Sequence, residues 1–155
     1  MTSSLPASRP GQPGAAPRLL FGAWLVALSA TLGALFLGEV MGRTPCVLCW
    51  YQRIAMFPLA VILLVGQMPF DRRCLRYALP LVALGGLIAA YHALLYAGVI
   101  PADLMPCGAC ASCSNADLQR IGGVPIPHLS LLAFGLIGAL LGLTHRDTQR
   151  KTLNR

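Results

Sequence analysis

The chain has 155 residues, of which 56% are hydrophobic and only 11% are charged. Soluble domains carry about 25% charged residues, so an ordinary water-soluble domain, a disordered chain and a fibrous chain are excluded, and an integral membrane protein with one small domain is left. The formal net charge is +7, with eleven Arg and a single Lys, Lys151. These cations lie between apolar runs, which makes them a record of membrane orientation rather than a nucleic-acid surface.

Residues 1–18 are Pro, Gly, Ala and Ser with two Arg and no apolar period, and they read as a disordered cytoplasmic tail. Four uncharged apolar runs follow, at 19–38, 54–70, 77–102 and 121–144. Each is close to the roughly 20 residues that a helix needs to cross a bilayer. The first is longer than the apolar core of a signal peptide, about 7–15 residues, and reads as a retained helix. The expected fold is an all-α four-helix transmembrane bundle with up-down topology. Its membrane domain covers 19–144, with spans near 19–38, 46–66, 77–98 and 125–143, and 145–155 forms a basic cytoplasmic tail.

Arg9, Arg18, Arg72, Arg73, Arg76, Arg146, Arg150, Lys151 and Arg155 would share one side of the membrane, against Arg43 and Arg120 in the loops of the other. By the positive-inside rule both termini and the 71–76 turn are cytoplasmic, and the loops at 39–45 and 101–124 face outward. Glu39 then belongs to a solvated outer loop. Five of the six cysteines, Cys46, Cys49, Cys107, Cys110 and Cys113, fall on or beside the outer face, and only Cys74 is cytoplasmic. Outside a bacterial inner membrane disulfides persist, and cysteines occur as pairs or redox catalysts.

Cys46-Val47-Leu48-Cys49 is a C-x-x-C motif. Thr44 suits an N-cap and Pro45 the first helical position, which would place Cys46 in the first turn of the second span, where a helix N-terminus favours a thiolate. Arg53 follows Cys49 by four residues and shares its helix face. A cation at that depth either snorkels to the headgroups or serves the thiol and a polar ligand head. His92 lies inside the third run, either as a buried, hydrogen-bonded core residue or at the same depth as Arg53, where the two would share a ligand. Cys107, Cys110 and Cys113 fall within seven residues of the longest outer loop. They fit a second disulfide or a metal site, although structural zinc usually takes four ligands and only a distant His128 is available as the fourth. The segment 115–124 has apolar residues at three-residue spacing and reads as a short amphipathic turn on the membrane surface.

The string Pro45-Cys46-Val47-Leu48-Cys49-Trp50-Tyr51-Gln52-Arg53 ahead of an apolar helix resembles the DsbB family of disulfide bond formation proteins. The resemblance covers about 19–142, and the Pro106-Cys107 start and C-x5-C spacing to Cys113 look most like its short-loop, BdbC-like branch. It implies a membrane oxidoreductase of the bacterial inner membrane, with its redox cysteines on the periplasmic side, that reoxidises a DsbA-like thioredoxin-fold protein and passes electrons to quinone, either ubiquinone or menaquinone. Cys46 and Cys49 match the quinone-side pair, Arg53 and His92 the quinone-binding residues, and Cys107 and Cys113 the pair that exchanges with the soluble partner; Cys110 has no place in the pattern. The resemblance implies no metal and no nucleic-acid partner. Rival readings are a small metal-binding or transport protein using the loop cysteines, a purely structural four-helix protein, and a quinone reductase of the vitamin K epoxide type.

Overall fold

The computed structural model describes residues 15–68, 70–100, 120–121 and 123–153. Four long helices account for most of them: α1 (Ala15–Leu35), α2 (Val47–Val65), α3 (Cys74–Tyr96) and α4 (Ile126–Leu153). Each is long and apolar enough to cross a membrane, so the chain is a multi-pass membrane protein. α1 packs on α2, α2 on α3, α3 on α4 and α4 on α1, which closes an up-and-down bundle. The only strands among the described residues are β1 (Arg120–Ile121) and β2 (Val124–Pro125), a two-residue antiparallel pair leading into α4. Its turn uses Gly123 at a positive φ of 88°, a conformation open to glycine at no steric cost.

The bundle follows from where each helix carries its buried residues. On α3, Leu75, Ala78, Val82, Gly85, Ala89 and His92 are buried, alternating three and four residues apart. Phe134, Ile137, Leu141, Thr144 and Thr148 repeat that interval on α4. This near-seven-residue period aims one stripe of each helix at its neighbours. In lipid the outward faces stay apolar, and association rests on close packing and small residues. Leu32, Ile54, Val61, Leu87 and Leu132 are accordingly exposed, while Ala23, Ala27, Ala78 and Ala89 are buried in the interior. At Gly85 the side of the Phe134 ring fills the place a Cβ would take. Pro58 and Pro80 lie within the continuous helices α2 and α3 on exposed positions, and transmembrane helices tolerate prolines where neighbouring groups re-satisfy the freed carbonyls.

Three boundaries differ from the sequence reading. α1 starts at Ala15, inside the segment expected to be a tail, because Ala16 is already buried against the bundle at 3% exposure. α4 continues through the basic segment to Leu153. There the buried Thr144 and Thr148 hydroxyls donate to the Leu140 and Thr144 carbonyls of their own helix, 2.8 and 2.7 Å away, so these two residues extend the packed stripe with their own hydroxyls paired. Glu39 is exposed, as expected, but sits in a single π-helical turn (Phe36–Val40) that continues α1. Residues 1–14, most of the expected amphipathic turn at 115–124, and Cys107, Cys110 and Cys113 lie outside the described residues.

Candidate active site

The chain between the π turn and α2 turns at Gly42, with φ 64°, and delivers Cys46 to the start of α2. The N-cap is Cys46 and not Thr44, with φ −66° and ψ 164°, so α2 begins two residues later than the Thr44-Pro45 pair implied. The sulfur does the work expected of the threonine hydroxyl: Cys46 Sγ accepts from the Cys49 amide, 3.3 Å away. A C-x-x-C that opens a helix thus caps itself, since the first cysteine stands three residues ahead of an amide with no intrahelical partner. The two sulfurs are side by side, with the Cys46 thiol donating to Cys49 Sγ at 2.8 Å. A disulfide needs about 2.05 Å, so a small side-chain movement joins them. Cys46 is buried at 4% exposure and Cys49 is partly buried.

Two buried polar side chains stand behind Cys46. His92 of α3 is wholly buried, with Nε2 3.9 Å from Cys46 Sγ. Gln52 of α2, 7% exposed, places its Nε2 3.3 Å from His92 Nδ1. Sequence reasoning quoted Gln52 within the motif but gave it no role. The signal was present, because Leu48, Gln52, Ala55, Met56 and Leu59 form one buried stripe, and a polar residue on the interior stripe of a membrane helix is a functional candidate. Cys46, Cys49 and His92 offer two sulfurs and a ring nitrogen within 4.8 Å of one another, three of the four ligands that structural zinc usually takes. His128 is not in that group and forms a T-shaped pair with Tyr96, with ring centroids 5.9 Å apart.

Arg53 lies on another side of the pair. Its Nη2 donates to the Ala34 carbonyl of α1 at 2.7 Å, and the guanidinium lies 5.6 Å from the Trp50 ring centroid. The carbonyl it reaches lies just ahead of the π turn, where Met41 N–H bonds the Phe36 carbonyl five residues back. Gly38 lies directly against the guanidinium: a Cβ there would be 3.1 Å from Nη1 and 3.3 Å from Nη2. Arg53 therefore bridges α2 to the widened end of α1, and the structure gives it a different contact set from His92.

Cys46, Cys49, Gln52 and Arg53 line one end of a cavity of about 870 Å³ between α1, α2 and α4. The rest of its wall is mostly apolar, including Leu25, Met56, Phe57 and Phe134, and His92 is not among the described residues that line it. Its size is that of a small-molecule site, about 300–1,000 Å³, with a few convergent polar groups. The lining suits a largely apolar molecule that carries a polar group.

Residues 17–144 match the family model described as disulfide bond formation protein DsbB. The chain is 53% identical to a probable disulfide formation protein of Metapseudomonas resinovorans over 84% of this chain and 91% of the relative. It is 39% identical to disulfide bond formation protein C of Bacillus subtilis over 76% of this chain and 86% of that one. A probable disulfide formation protein of Deinococcus radiodurans is 44% identical, with 79% and 85% covered. No solved structure matches the chain.

Proposed function

Because the chain belongs to the DsbB family and is a membrane disulfide oxidoreductase, we propose that it reoxidises a DsbA-like periplasmic thioredoxin-fold protein and passes the electrons to quinone in the bacterial inner membrane. The observation that carries this reading is the placement of two adjacent sulfurs, 2.8 Å apart, at the polar end of a large apolar cavity that also holds Arg53.

In this reading Cys107 and Cys113 form the disulfide that meets the partner. A partner thiolate attacks one of these sulfurs, the loop bond breaks, and the other loop cysteine leaves as a thiolate with the electron pair. The partner's second thiolate then resolves the mixed disulfide, which leaves the partner oxidised and the loop as a dithiol. One loop thiolate attacks Cys46 of the Cys46–Cys49 disulfide, and Cys49 leaves as a thiolate on the cavity side. Arg53 shares a helix face with Cys49 and supplies a fixed positive charge for negative charge developing there. The second loop thiolate closes the loop disulfide and Cys46 leaves as a thiolate, so two electrons rest on Cys46 and Cys49. A quinone bound in the cavity supplies a lipid-soluble acceptor of two electrons and two protons. Such an acceptor is needed because a DsbA-type couple is strongly oxidising, near −120 mV, and ordinary thiols do not regenerate it.

The test uses the detergent-purified protein with a reduced thioredoxin-fold oxidase and either ubiquinone or menaquinone, following quinone absorbance and partner thiols together. Oxidation of partner and reduction of quinone in equal amounts, both abolished by Cys49→Ser, are expected. A parent protein that oxidises the partner without consuming either quinone would overturn the proposal.

A further inference from the structure

Gln52 and His92 face each other in the interior of the bundle, and their chemistry fixes more than packing. A carboxamide nitrogen has two N–H donors and no acceptor capacity. With Gln52 Nε2 placed 3.3 Å from His92 Nδ1, the ring nitrogen is the acceptor. A neutral imidazole that accepts at Nδ1 carries its proton on Nε2. Nε2 is the ring nitrogen that faces Cys46 Sγ.

We propose that Gln52 is a positioning residue acting through His92: it holds the imidazole as the neutral Nε2–H tautomer and so aims an N–H at the Cys46 sulfur. This rests on Cys46 and Cys49 being the redox pair. The step it serves is the closing of the loop disulfide. There the second loop thiolate attacks the loop sulfur joined to Cys46, a bond forms between the two loop cysteines, the bond to Cys46 breaks, and Cys46 keeps the electron pair as a thiolate. An N–H pointing at that sulfur stabilises the new charge, and a charge-assisted bond shortens from the 3.9 Å seen beside the neutral thiol. The opposite tautomer would turn a lone pair toward the thiolate and oppose the step. Among the described residues, the titratable and charged groups near Cys46 are Cys49 and His92, in contact with its sulfur, Tyr91, packed on the same cluster, and Arg43 and Arg53, which line the same cavity, with Arg53 donating to the Ala34 carbonyl. Two buried polar groups in a membrane bundle are costly unless paired. Here the two pair with each other, and the other ring nitrogen is left to the sulfur.

The closing experiment has two arms. Nitrogen-15 NMR of histidine-labelled, reduced protein, with His128 and His145 removed one at a time for assignment, is expected to show His92 as the Nε2–H tautomer; an Nδ1–H tautomer overturns the proposal. In a full-length variant whose single thiol is Cys46, alkylation is followed against pH. Gln52→Met is expected to raise the pH midpoint by about one unit, so that the rate at neutral pH falls about tenfold. In a His92→Gln background, which keeps a donor toward Cys46, Gln52→Met should have no further effect. An unmoved midpoint in the first background, or an equal shift in both, overturns it. If Gln52→Met does not fold, the NMR of the parent decides alone. Failure of the parent to reduce quinone would overturn the redox reading while leaving the tautomer result standing.

Discussion

Gly38 offers a sharp perturbation of the candidate site because it touches Arg53 without carrying any chemistry of its own. Its φ is not among the positive values in the chain, so an alanine fits the backbone, and in a helical turn alanine is favoured over glycine by up to about 1 kcal/mol. What glycine provides is room. A methyl carbon would lie 3.1 and 3.3 Å from the two guanidinium nitrogens, where non-bonded heavy atoms prefer roughly 3.5–4.0 Å. The guanidinium must retreat by several tenths of an ångström, and the 2.7 Å bond to the Ala34 carbonyl cannot keep its length. Hydrogen bonds to charged groups contribute about 1.5–3 kcal/mol. Losing about 1–1.5 kcal/mol of that corresponds to roughly five- to tenfold in an equilibrium constant. Gly38→Ala should therefore raise the KM for quinone by about five- to tenfold, with the fold as stable as the parent and the exchange between loop cysteines and partner unchanged. Arg53→Ala sets the upper limit, a loss of about a hundredfold or more in quinone reduction, as for removal of one oxyanion donor. The two half-reactions are measured separately, by quinone absorbance in single turnover and by trapping partner thiols. An unchanged KM in Gly38→Ala, or an equal loss in both half-reactions, would refute the reasoning.

Cys110→Ser should keep most partner-oxidising activity while Cys113→Ser abolishes turnover; a dead Cys110→Ser protein in the same thiol-trapping assay would make the pair Cys107–Cys110. Reporter fusions after Arg76 and near Asn115 should report opposite sides of the membrane, following the nine-to-two division of loop and tail cations, and the same side for both would end that topology. Gly85→Val should cost about 1–3 kcal/mol through overpacking against Phe134, read as a lower thermal midpoint in detergent, and an unchanged midpoint would mean the α3–α4 contact relaxes freely.

The parts of this protein legible in its sequence are those set by local composition, and the parts that escaped are set by contacts between helices. Four apolar runs in so weakly charged a chain leave few alternatives to a membrane bundle, because backbone groups in lipid must be satisfied within each helix. Helix ends are harder to read, since a run of apolar residues does not show where buried hydrogen bonding stops. Thr144 and Thr148 carry α4 onward by bonding their own helix, and Cys46 starts α2 by replacing a threonine cap with its sulfur. The i, i+4 relation of Cys49 and Arg53 is a property of one helix and was visible. That Arg53 ends on the Ala34 carbonyl, nineteen residues away, depends on the π turn at the end of α1, and nothing in Phe36-Leu37-Gly38-Glu39-Val40 marks a change from five- to six-residue rings. His92 is the most instructive residue. A lone histidine in an apolar run is equally consistent with a ligand-binding group and a core residue, and its own neighbours cannot separate the two. Its partner is Gln52, forty residues earlier, on the interior stripe of another helix. A polar residue on such a stripe demands a partner, so the pairing of the buried polar residues of α2 and α3 could be inferred before any coordinates, although not which ring nitrogen would be left for the sulfur.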